Sequence, residues 1–228
     1  MHARTIHTGL RAVLELFAHP ANASIVDTVR LVTGPLVGHH AGPFAFEFQF
    51  NDGSGIGDGN NTAILSDSIF DTGGPVGFPS TFGNVTSDLK SCITMINSFF
   101  FNEFIQVFTP GATLSFQMNL SGTVNRGGVP DESSFSILDS SGAELPTLRP
   151  ANAFLLATSI PTPPTPATFP THTNQIPNAG GIPISIAAPQ ATRGLADVPE
   201  PGTGRLLTVI LAIVVSYHRK FRLWNTPS

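Results

Sequence analysis

The chain has 228 residues, of which 11% are charged, and carries 22 glycines and 20 prolines. This is room for one good-sized domain with appendages, and so turn-rich a composition argues against long helices. Ser24 to Ile160 holds twelve acids and four bases while the remainder holds three acids and seven bases; the acidic body offers no cationic footprint, which excludes nucleic acid as its partner.

Residues 1–23 read as a degenerate signal peptide. Arg4 and Arg11 give a basic start, Ala12 to Ala18 a short apolar stretch interrupted by Glu15, and Ala21-Asn22-Ala23 a small-residue cleavage pattern. From Ser24 to Ile160 the chain reads as β structure. Ile25, Val26, Val29, Leu31 and Val32 predict a strand closed by the Gly34-Pro35 turn. Phe44, Phe46, Phe48 and Phe50 alternate with Ala45, Glu47 and Gln49, a period of two with one aromatic face. Phe99 to Phe108 predicts one bent strand or two short ones. Leu114, Phe116, Met118 and Leu120 alternate with polar residues in the cleanest strand of the chain, and Phe135 to Asp139 and Ala153 to Ile160 predict two more. Asn51–Asn61, Asp71–Gly77 and Arg126–Asp131 carry turn residues. Short strands joined by Gly/Pro/Asp loops predict an all-β fold, an antiparallel two-sheet sandwich of jelly-roll type.

Residues 161–196 hold eight prolines among Thr, Ala, Asn and Gly, with Arg193 the first charge. Such a segment buries too little apolar surface to offset its ordering entropy, so a disordered Pro-rich linker is expected, with a short strand allowed by Ile182, Ile184 and Ile186. Residues 197–228 follow a different logic. Pro199 and Pro201 bracket Glu200 and hold it in extended chain. Leu206, Leu207, Val209, Ile210, Leu211, Ile213, Val214 and Val215 then form an uncharged run, apolar on all sides, of a kind buried in protein or lipid. Arg219, Lys220 and Arg222 follow at once, and such a cluster marks the cytoplasmic side of a membrane.

A Pro-Glu-Pro motif, a short hydrophobic helix and a basic terminus in that order resemble the PEP-CTERM sorting signal of bacterial exported proteins. The resemblance covers roughly the last thirty residues and implies an exosortase as partner, a membrane enzyme that recognises the tail and removes it. The body also resembles a group of PEP-CTERM proteins of similar size, through Gly42-Pro43-Phe44, Phe48 to Gly55, Gly57 to Thr62, Phe100 to Phe104, Phe108 to Gly111, Leu114 to Phe116 and Val129 to Glu132. That group brings no activity to transfer. The resemblance implies export to the cell envelope or extracellular matrix, transient contact with the membrane through the tail, and exopolysaccharide as a further partner.

Candidate chemistry is sparse. Asp52, Asp58 and Asn60, with Asn61, offer hard oxygen ligands for Ca²⁺ on glycine-loosened backbone. Their spacing departs from the helix–loop–helix calcium pattern, and the same residues favour turns in their own right. No metal or cofactor is assigned, and the stretch reads as a long hairpin loop. His39 and His40 are neighbours that point to opposite faces of a strand and cannot readily share a metal. With no nucleophile elbow or phosphate-binding glycine loop, a non-enzymatic role is expected. Cys92, the only cysteine, forms no intrachain disulfide and reads as a small buried apolar side chain. The alternative role is a secreted Ca²⁺- or glycan-binding module. Against glycans, the only Tyr and Trp, Tyr217 and Trp224, lie in the tail, leaving the body with phenylalanine alone.

Overall fold

The phenylalanine alternation does what a period of two dictates: it lines one face of a strand, and a facing strand must cover it. In the computed structural model, which describes residues 24–53, 57, 59–121, 130–148, 154–160, 167–168, 170–173 and 182–195, that covering is done by two antiparallel sheets. The elements in chain order are β1 (Ser24–Val32), a 3-10 turn (Gly34–Leu36), β2 (Phe44–Asn51), β3 (Thr62–Ile69), β4 (Gly74–Pro75), β5 (Ser80–Phe82), β6 (Val85–Thr86), β7 (Ile93–Ile96) and β8 (Phe101–Thr109). They continue with β9 (Thr113–Ser121), β10 (Asp131–Leu138), β11 (Leu156–Ile160), β12 (Ala167–Thr168), β13 (Thr171–Thr173), β14 (Ile184–Ile186) and β15 (Gln190–Leu195).

The first sheet has the order β15-β1-β9-β3-β7-β6, and the second β12-β11-β10-β2-β8-β4, with β5 also pairing β8. Up to β10 nearly every connection carries the chain from one sheet to the other. Phe44, Phe46, Phe48 and Phe50 of the second sheet and Leu114, Phe116, Met118 and Leu120 of the first are all buried between them. Phe116 reaches across to Phe46 (ring centroids 5.5 Å apart, edge-on) and Phe135 (5.4 Å), while Phe46 and Phe135 lie 4.6 Å apart. This trio joins the sheets through aromatic contacts that add about 0.5–1.5 kcal/mol per pair to the burial itself.

Of the strands before residue 160 that escaped the sequence reading, β3 and β7 are the longest. β3 presents only Ala63 and Leu65 inward before its pairing with β9 shifts register between Ser66 and Ile69, where Asp67 adopts φ 53°. β7 is four residues long, and its alternation of Ile93 and Met95 with Thr94 and Ile96 is too short to stand out. The stretch from Phe99 to Phe108 resolves into the single strand β8, and β10 begins at Asp131, which the sequence reading placed in a loop.

The expected linker needs the larger correction. Over its described parts, residues 161–196 contribute β12 and β15 to the two sheets and form with β13 and β14 a separate antiparallel ribbon. Ile184 and Ile186 are buried in the common core. β15 pairs β1 from Ile25↔Leu195 to Arg30↔Gln190, and Asp27, fully buried, receives both Nε (2.9 Å) and Nη2 (2.8 Å) of Arg193. A bidentate, charge-assisted pair at a strand edge supplies what proline-rich composition lacks, a specific register. The folded body therefore extends past 160 to Leu195. Cys92 is the second correction: it is exposed, in the turn before β7. The expected C-terminal helix lies outside the described residues, as does the signal-peptide segment.

Candidate functional site

Two polar regions of the sandwich concentrate its chemistry. The first is the 51–61 loop, where the calcium candidates fall. Asp52 is buried at the end of β2, Asn60 and Asn61 lead into β3, and Asp58 lies outside the described residues. What the structure adds is Asp131 of β10 and Asn97 beyond β7, both buried. Asp131 Oδ1 accepts the Gly53 N–H (3.0 Å), and its Oδ2 accepts one amide N–H from Asn61 (2.8 Å) and one from Asn97 (2.8 Å). Asn97 Oδ1 accepts the Asn61 N–H at 2.9 Å, Asn97 Nδ2 also donates to Asn60 Oδ1 at 3.2 Å, and Asp52 Oδ2 accepts the Gly57 N–H at 2.6 Å. The carboxylates here face N–H donors, which an ion would have to turn away. The arrangement clamps the loop across both sheets, and among the described residues no group of three His, Cys, Asp or Glu could hold a metal ion. His39 uses Nδ1 to accept the Ala41 N–H (3.1 Å) and packs against Phe44.

The second region, which the sequence reading missed, is the outer face of the seven-stranded sheet. Residues directly opposite on antiparallel strands share a face, so the register writes this surface row by row. One row runs Phe82–Glu103–Gln49–Ser134–Ala157. Beside it run Ser80–Ile105–Glu47–Ser136 on one flank and Phe101–Asn51–Glu132–Ser159 on the other. The outward residues of β2, β5, β8 and β10 thus form a face of Glu, Gln, Asn and Ser with an aromatic margin, buried at Glu47, Ser134 and Ser136 and half-buried or exposed from Gln49 to Phe82. From Phe82 to Ser134 it spans three strand spacings, about 14 Å.

Its chemistry is that of an acidic, partly water-excluded surface. Glu47 is buried, accepting from Gln49 Nε2 (2.9 Å) and from the Ser136 hydroxyl. Burial, then the charge of Glu47, a hydrogen bond with Glu47 and the charge of Glu144 push the Glu103 carboxyl above its ordinary value. Ser134 Oγ, in the same row, is buried without a hydrogen-bond partner.

The aromatic margin is held in place from beneath. Asn102, buried on the inner face of β8, donates through Nδ2 to Phe99 O (3.0 Å) and Phe50 O (3.2 Å), and its Oδ1 accepts the Asn84 N–H (2.7 Å). Gly83, at φ +81°, allows this approach, since a Cβ there would stand 2.4 Å from Asn102 Oδ1. Gln106 does the same for the preceding loop, donating to Gly77 O (2.9 Å) and accepting the Leu89 N–H (3.0 Å). Phe78 is 98% exposed and Phe82, Phe99 and Phe100 more than half exposed; Phe101 bridges Phe82 (5.9 Å) and Phe100 (6.4 Å).

The sorting-motif residues Pro199, Glu200 and Pro201, the apolar run Leu206–Val215 and the basic Arg219, Lys220 and Arg222 lie outside the described residues. No helix among the described residues is long and apolar enough to cross a membrane. No family model, curated protein or solved structure matches the chain.

Proposed function

We propose that this is an exported, non-enzymatic β-sandwich protein of the cell envelope or extracellular matrix, sorted and processed at its tail by an exosortase. The observation that carries the reading is the order of three unlike elements: Pro199-Glu200-Pro201, the uncharged Leu206–Val215 run, and Arg219, Lys220 and Arg222. Prolines keep the motif extended for an enzyme to grip, the apolar run partitions into lipid, and the basic cluster fixes its orientation. The body is a jelly roll in this reading. It is supported by the order β1-β9-β3-β7 facing β2-β8 with β4 and β5, and by a chain that switches sheets at nearly every connection.

The position of β15 sharpens the mechanics. Glu200 is five residues past Leu195, so at most about 17 Å of extended chain separates the processing motif from the last strand. The membrane enzyme works close to the sandwich, and the Asp27–Arg193 pair holds the edge from which the tail departs. Replacing Pro199, Glu200 and Pro201 with alanine in a host that carries an exosortase leaves the tail uncut and the protein retained in the membrane fraction. Normal trimming and release of that variant contradicts the proposal.

A further inference from the structure

We infer that the accessible margin of this outer face, from Phe82 and Phe101 across Glu103 to Gln49 and Asn51, is a docking surface for a polysaccharide bearing free amino groups, with its sugar rings against Phe82 and Phe101. Three independent observations meet there. The aromatic margin is exposed yet fixed, with Asn102 and Gln106 fastening the loops that carry Phe78, Phe82, Phe99 and Phe100. Exposed rings held by buried amides have not collapsed for want of a core; they are presented, and a ring face is what the apolar C–H face of a sugar stacks against.

The second observation is the row itself. Glu103, Gln49 and Asn51 supply acceptors and donors at half-buried positions, where hydrogen bonds to a sugar's hydroxyl or amino groups compete less with water. Beyond Gln49 the row is covered, with Ser134 and Ala157 buried, so the accessible stretch ends at Gln49.

The third is charge. None of the residues in the three rows is basic, and Glu103 and Glu132 stand half-buried among them. An anionic glycan is repelled from such a face, and a neutral one gains only hydrogen bonds. An ammonium group gains a charge-assisted bond to Glu103 as well, which selects the amine-bearing polymer. This inference is independent of the tail: it concerns the body wherever the protein resides.

The test is isothermal titration of the full chain with a β-1,4-glucosamine hexamer. Cellohexaose serves as the neutral analogue, an oligogalacturonate as the anionic one, and oligolysine as a cationic peptide. The glucosamine hexamer binds about tenfold tighter than cellohexaose, and the oligogalacturonate does not bind. Phe82→Ala and Glu103→Gln each weaken the hexamer about tenfold, while Thr28→Ala on the outer face of the other sheet leaves it unchanged. Thermal melts of the variants establish that each is folded. The inference is overturned by no binding of the hexamer, by equal binding of cellohexaose, by oligolysine binding in its place, or by affinity indifferent to Phe82→Ala and Glu103→Gln.

Discussion

The loop around Asp131 and the face around Glu103 are both acidic and both polar, yet the chain treats them in opposite ways. Around Asp131, Gly53, Asn61 and Asn97 each direct an N–H at the carboxylate, and Asn97 ties two strands and a loop together. Around Glu103 a second carboxylate is pressed close, a serine hydroxyl is left without a partner, and phenylalanines stand in water. One region spends its polarity on holding the fold. The other is held against its own electrostatic preference, the usual mark of a surface kept for something else.

Substitutions should separate the two regions by sign as well as size. Asp131→Ala strands three N–H donors in a buried network and costs on the order of 3–5 kcal/mol, read as a lower urea midpoint. A loss under about 1 kcal/mol would mean the loop is not clamped as described. Asp27→Ala removes the partner of Arg193 at the β15 edge and costs about 2–3 kcal/mol, less than the interior case because Arg193 remains partly solvated. It also frees the stretch leading to Glu200, so tail processing is expected to quicken; a destabilised body with unchanged cleavage would separate the edge strand from the processing step.

On the open face the effects on stability shrink and turn favourable. Ser134→Ala deletes a buried hydroxyl that has no partner and leaves stability within about 0.5 kcal/mol of the parent or slightly above it. Glu103→Gln is the smallest change and depends on pH. A carboxyl whose folded value is raised binds its proton more tightly when folded, so stability falls as pH rises from 4.5 through the folded value and stays lowered above it. The glutamine variant lacks this decline: it melts no lower than the parent at neutral pH, and the gap closes below pH 4.5. A variant that loses stability at neutral pH would show Glu103 to be a structural acceptor like Asp131.

The contrast also explains what could be read from residues alone. Strands with strict alternation, such as β2 and β9, announce themselves because a single period of two sorts large apolar from small or polar side chains. β3 and β7 carry too few large residues to do so, and β15, Gln-Ala-Thr-Arg-Gly-Leu, has no apolar face: its place comes from backbone pairing and one ion pair with a residue 166 positions away. The polar residues of the 51–61 loop were legible as a cluster, but their partner Asp131 is remote in sequence, so the clamp they form with it could not be read. The docking face was illegible for the same reason. Phe82, Glu103, Gln49 and Ser134 belong to four strands, and only register brings them into a row. A faint signal existed in Phe78 and Phe82, which fall outside every predicted strand.

Mass spectrometry of the mature protein recovered from an exosortase-bearing host tests export and tail processing together. The expected product has lost the Leu206–Val215 run and everything after it, with its new terminus at or close to Glu200. A protein recovered from the cytosol with Ser228 still in place contradicts the proposal directly.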